Sequence, residues 1–140
     1  MPGKSVDLQI NNHQSTEEDE EELSFSGSGT LYRKKGKIYL VYEEKSEGIQ
    51  GAKTTIKIDP EQKRVFLTRK GPGSINQEFI EGKVHHDSYN TAQGSLNLKT
   101  ETREISIEIT REAGRIEIEY DLYLGGGFFA SNSLKITYKS

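Results

Sequence analysis

The sequence predicts an all-β protein: a single closed antiparallel meander β-barrel of about 8–10 strands. Three observations carry that expectation. Apolar and polar residues alternate through most of the chain, and a period of two places successive side chains on opposite faces of a strand. Turn signals built on Gly, Pro, Asn and Asp recur roughly every 8–12 residues, and no segment has helical periodicity. Seven Tyr and five Phe sit within these alternating segments, so a closed sheet can bury a core although only 31% of residues are hydrophobic. Open sheets leave edge strands exposed, which closure removes. A β-sandwich is the alternative.

Met1–Lys4 read as a short leader. Val6, Leu8 and Ile10 then alternate with Asp7 and Gln9 in a first strand, and residues 11–22 read as a polar, acidic surface loop. Leu23, Phe25, Gly27, Gly29 and Leu31 share one parity, and two glycines on the inward side suggest a sharp bend. Lys35-Gly36 turns the chain into residues 37–44, and Ser46–Gly51 is a loop. Thr54, Ile56 and Ile58 mark a strand that Asp59-Pro60 ends. Residues 65–69, 75–80, 84–91 and 95–100 follow, punctuated by Gly71-Pro72-Gly73, Gly82 and Gln93-Gly94.

The clearest stretch is Thr102–Leu124. Ile105, Ile107 and Ile109 alternate with polar residues, as do Ile116, Ile118, Tyr120 and Leu122. Ala113-Gly114 is the expected reversal, with glycine supplying positive φ. Gly125–Ser133 reads as a loop before a last strand, Leu134–Tyr138. Placing Leu122 opposite Ile136 sets Glu119 against Lys139 on the outer face, a pair worth roughly 0.2–1 kcal/mol.

The length fits one domain, residues 1–140. Net charge is −3, while Glu17–Glu22 alone carry six negative charges. Neither figure is the basic footprint of a nucleic-acid binder. Without cysteine there are no disulfides or thiolate metal sites. No apolar run is long enough to span a membrane, and the N-terminus lacks a signal-peptide core. The expectation is a cytoplasmic monomer or homodimer with no cofactor and no membrane or nucleic-acid partner.

A resemblance becomes specific at Tyr89-Asn-Thr-Ala-Gln-Gly94-Ser-Leu-Asn-Leu-Lys-Thr100. It extends through Gly114-Arg-Ile-Glu-Ile-Glu-Tyr120 to Asn132-Ser-Leu-Lys-Ile-Thr137. Upstream, Tyr39-Leu-Val-Tyr42, Lys53-Thr-Thr-Ile56 and Val65-Phe-Leu-Thr-Arg69-Lys-Gly71 fall in the same order. This set resembles the YwiB-like family of small bacterial proteins of unknown function, over nearly the whole chain. The resemblance implies a calycin-like barrel, topologically akin to lipocalins, and brings no catalytic or ligand residues with it.

Candidate binding residues come from parity. Arg69 shares the inward parity of Val65 and Leu67. A guanidinium facing the interior is costly unless paired, and its planar fork suits the carboxylate or phosphate of an amphipathic ligand. The competing placement is at the strand end, in solvent at the rim. Gln77, between Ile75 and Phe79, is a second inward polar group. Phe25, Tyr42, Phe79 and Tyr120 supply aromatic lining, and Gly27 and Gly29 are expected to leave space. Other inward residues are Leu31, Ile56, Leu67, Leu98, Ile107, Ile118 and Ile136.

His85 and His86 are neighbours on a strand and point to opposite faces, so they do not chelate together; His85 and Asp87 share a face. No metal site is expected, and no nucleophile accompanies the pair, so no catalytic residues are assigned. The acidic run lacks the spaced ligands and central glycine of a calcium loop. Gly125-Gly126-Gly127-Phe128-Phe129 lacks the Lys-Ser/Thr and helix of a phosphate cradle. Phe128 and Phe129 are assigned instead to a portal or interaction loop, against the alternative that they fold back onto the barrel end.

The expected function is non-enzymatic binding of a small apolar or amphipathic ligand inside the barrel. The alternative is a structural or protein-interaction domain whose interior is filled by side chains.

Overall fold

The computed structural model describes residues 3–45, 48–91 and 93–140, with Thr91 described by its backbone only. Ten strands follow in order: β1 (Lys4–Ser15), β2 (Glu20–Lys34), β3 (Lys37–Glu43), β4 (Lys53–Asp59), β5 (Arg64–Lys70), β6 (Ile75–Ile80), β7 (Val84–Thr91), β8 (Gly94–Ile109), β9 (Ala113–Leu124) and β10 (Gly127–Lys139). They form one sheet in the order β6-β5-β4-β3-β2-β1-β10-β9-β8-β7, with every paired neighbour antiparallel. The first and last strands pair, so the meander curls into a nearly closed barrel. Among the described residues, no helix is long and apolar enough to cross a membrane.

Closure is incomplete at one seam, between β6 and β7. Side chains bridge it where a backbone ladder is missing. Asp87 accepts the Asn76 N–H at 3.0 Å, and the Gln77 amide donates to Thr100 at 3.3 Å. Glu81, in the connecting turn, accepts the Ile105 N–H at 2.9 Å. That turn's backbone is drawn to β8: Gly82 N–H bonds Thr102 O, and Thr102 N–H bonds Lys83 O. β7 therefore leaves the turn alongside β8.

Several boundaries depart from the sequence expectation. The acidic segment 11–22 is mostly strand: β1 runs to Ser15, β2 begins at Glu20 and Ser15 pairs with Glu20. The turn spans residues 16–19, tied by Thr16 and Asp19. Both faces of this hairpin tip meet solvent, so the period-two signal fades although the backbone ladder continues. Lys4 belongs to β1 rather than to a leader.

Two expected strands also merge into the single strand β8. A bulge between Thr102 and Glu104 inserts Arg103 and flips the parity, so Thr100 and Thr102 face inward before it and Ile105 after it. A bulge adds one residue to one strand, which moves the following side chains to the other face.

The β8–β9 turn lies at residues 110–112, closed by Thr110 and Ala113. Gly114 is already in β9 and is needed for another reason. An added Cβ would lie 2.2 Å from the Tyr138 ring, so only glycine lets that ring cross the strand.

Residues 127–133 are not a loop. Gly125 and Gly126, with φ of 60° and 90°, make a two-residue reversal of the kind that favours positive φ at both positions. Leu124 therefore pairs with Gly127, and Phe129 is extra in a bulge between Phe128 and Ala130. This tight turn sets the register. Ile136 faces Ile116, Lys139 faces Ala113 and Glu119 faces Ser133, so the expected Glu119–Lys139 pair does not form.

The core occupies the end of the barrel where β1 starts and β10 ends. Leu8, Leu40, Ile56, Ile58, Phe79, Ile116 and Ile118 are fully buried there, with Tyr138 and Leu31 beside them. Of the expected inward residues, Leu31, Ile56, Leu98, Ile118 and Ile136 are buried, and Leu67 and Ile107 are partly so.

Candidate functional site

The other end of the barrel is a mouth with a different lining. Followed along six of the ten strands, the inward residues change from apolar to polar toward this end. In β1, Ile10 gives way to Asn12; in β3, Leu40 and Tyr42 are followed by Glu44 just beyond the strand. β4 runs from Ile56 to Thr54, β5 from Leu67 to Arg69, β6 from Phe79 to Gln77 and β10 from Leu134 to Asn132. Register brings three neighbouring strands level here: Thr54 lies opposite Tyr42 on one side and Arg69 on the other.

Of the polar residues, Asn12, Glu44, Arg69 and Gln77 line a cavity of about 350 Å³, together with Phe25, Tyr42 and Tyr120 among others. The binding candidates found from parity thus meet in one place. Phe79 lies beneath rather than in the lining: it is fully buried, and its ring sits 4.9 Å from that of Tyr120. Phe25 packs on Tyr42 with ring centroids 4.6 Å apart.

Gly27 and Gly29 do not supply the space. An added Cβ at Gly27 would meet the Phe25 ring and the Lys45 amine, and one at Gly29 would meet Leu8. These neighbours already occupy the room the glycines leave.

Arg69 faces inward and is not in solvent at the rim. Its side chain is 18% exposed, and Nε lies 3.6 Å from Oε2 of Glu44, which is 6% exposed. Nη1 donates to the Gly73 carbonyl at 3.2 Å. Nε has no hydrogen-bond partner among the described residues, so the pair is a loose ion contact rather than a bidentate fork. Glu44 also accepts the Thr54 hydroxyl at 2.6 Å. Gln77, held by Thr100, turns the polar cluster toward the seam.

The two tyrosines remain protonated donors. Burial raises the Tyr42 hydroxyl's pKa, and the adjacent Glu44 charge raises it further. Burial also pushes Tyr120 up to about 12, against the opposing influence of Gln77 and Arg69. Asn12 donates to Asn132 at 3.0 Å on the far side of the mouth.

The remaining candidates lie elsewhere. Phe128 and Phe129 lie near the start of β10 rather than in a loop, and both are exposed. Tyr123 meets Phe128 edge-on at 5.7 Å. His85 approaches Glu78 at 3.7 Å beside the seam, whereas His86 is exposed and pairs with Lys99 on β8. Among the described residues, no group of three or more His, Asp or Glu could hold a metal.

Sequence reasoning missed Glu44, the partner that compensates Arg69. The signal was present, because Glu44 has the parity of Ile38, Leu40 and Tyr42. Asn12 and Thr54 were legible in the same way.

Fold and mouth together define a small antiparallel β-barrel, packed at one end and hollow at the other. The chain belongs to the family described as domain of unknown function DUF1934, which matches residues 8–136. It is 32% identical over 120 residues to the uncharacterized beta-barrel protein YwiB of Bacillus subtilis (strain 168), covering 86% of this chain and 82% of that protein. The crystal structure of the ywiB protein from Bacillus subtilis matches with a TM-score of 0.87 at 30% identity, covering 99% of this chain and 92% of that one. The family and barrel expected from the sequence are those found. YwiB is itself uncharacterized, so the likeness carries family and fold without a function.

Proposed function

We propose that this protein is a non-enzymatic binding barrel that holds one small amphipathic molecule in its mouth cavity. The carrying observation is the axial change in lining: apolar residues fill one end, while at the other a space is surrounded by polar and aromatic side chains with aliphatic ones such as Ile10, Leu67 and Leu134 between them. A volume of about 350 Å³ falls within the range of small-molecule pockets, roughly 300–1,000 Å³. Phe25, Leu67 and Tyr120 would hold the apolar part, and Arg69, Glu44 and Gln77 the polar head. Phe79 supports the floor. In this reading the protein acts in the cytoplasm, as a monomer or homodimer.

Native mass spectrometry of the purified protein, compared with its denatured mass, tests this reading. A reproducible bound mass, or saturable enhancement of the uncharged dye N-phenyl-1-naphthylamine that Tyr120→Ala weakens, is expected. Bare protein with no dye binding would overturn it.

A second reading is a protein-interaction domain, favoured by Phe128 and Phe129 at 44% and 40% exposure. It predicts that Phe128→Ser/Phe129→Ser abolishes association with a partner while leaving dye binding intact.

A further inference from the structure

We propose that the mouth cavity selects a ligand carrying no net charge, so that an uncharged amphiphile binds in preference to the corresponding carboxylate or amine. This deepens the binding reading above and rests on it. Among the described lining residues, Arg69 and Glu44 are the only charged side chains, and they neutralise each other at 3.6 Å. The cavity therefore offers hydrogen bonds without offering net charge.

A ligand carboxylate placed on Arg69 would also enter the field of Glu44. That carboxylate is 6% exposed, so little water separates the two like charges, and like charges in a poorly solvated site disfavour each other strongly. An ammonium beside Glu44 meets the same obstacle from Arg69. An alcohol or amide escapes both costs. It can accept from the guanidinium and exchange hydrogen bonds with the Gln77 amide or a tyrosine hydroxyl. The protonated state of Tyr42 and Tyr120 adds no charge to this balance.

One further cation stands nearby. The Lys45 amine lies 5.5 Å from the centre of the Phe25 ring, but Lys45 is exposed and outside the lining, where water and salt screen it. It does not replace a counter-charge inside the cavity.

Competition for bound N-phenyl-1-naphthylamine by 1-octanol, octanoate and octylamine at neutral pH tests the inference. Octanol should displace the dye at least tenfold more effectively than either charged analogue. In Glu44→Gln, where Arg69 loses its counter-charge, octanoate should gain at least tenfold relative to octanol. Octanoate matching or beating octanol in the unmodified protein would overturn the inference, as would an unchanged ranking in a folded Glu44→Gln protein. If that variant does not fold, the ranking in the unmodified protein decides alone. Failure of the dye and all three competitors to bind would instead overturn the binding reading, and this inference with it.

Discussion

The packed end and the mouth end are built from the same strands, yet they solve opposite problems. At the packed end, Ile38, Ile58, Val65 and Phe79 lie side by side across β3 to β6 and fill the interior. Four residues along β5, Arg69 occupies the next-but-one inward position after Val65 and meets Glu44. Hydrophobic burial stabilises the first region. The second spends part of that stability on a desolvated ion pair and an unfilled volume, neither of which a fold requires. The contrast teaches that the strands are scaffold at one end and site at the other.

The largest effect expected from breaking the contrast lies in the core. Ile118 is fully buried, whereas Ile107 only packs against the core from a partly exposed position. Ile118→Ala should cost about 2–5 kcal/mol and Ile107→Ala about half as much, read from urea denaturation midpoints at constant slope. Equal losses would show that the packed end extends past Ile107 as tightly as it holds Ile118.

The ion pair should respond differently. Arg69→Met leaves the Glu44 carboxylate nearly buried and unpaired, costing about 1–3 kcal/mol after allowing for the partial exposure of Arg69. Adding Glu44→Leu should recover most of that loss, because an apolar pair of similar size carries no desolvation cost. A double variant as unstable as the single one would mean that the pair stabilises the mouth in its own right.

The smallest effects are electrostatic and separate the two ends by pH. At the mouth, Glu22 and then Glu20 raise the pKa of His13 above 6.5. Its contribution is complete below that value and is lost as pH rises through the raised pKa. At the other end, the Ile105 N–H and then Lys63 hold Glu81 below 4.5. That contribution is present above 4.5 and is lost as pH falls through the lowered pKa. Both groups face solvent, so each shift should be slight. Melting temperatures across pH should show His13→Gln removing a small alkaline loss and Glu81→Gln a small acid one. A change at the wrong end of the pH range would refute the assignment.

Much of this was legible in the chain because alternation is a local property. Inward parity alone singles out Arg69, Gln77, Phe25, Tyr42 and Tyr120, since a strand obliges every second side chain to share a face. The same rule reached Glu44, but a run of two glutamates at a strand end reads as surface until its pairing is seen.

What alternation could not supply was anything set by contacts distant in sequence. Gly114 reads as a turn residue, and only the Tyr138 ring lying over it explains it as a close-packed position. The Arg103 bulge, the two-residue turn at Gly125-Gly126 and the open seam between β6 and β7 depend on how strands meet. From the chain alone came the all-β class, the inward faces of most strands and the family. The tertiary structure decided register, which end is hollow and that Arg69 has a partner, because a local period cannot specify which strands are brought level with one another.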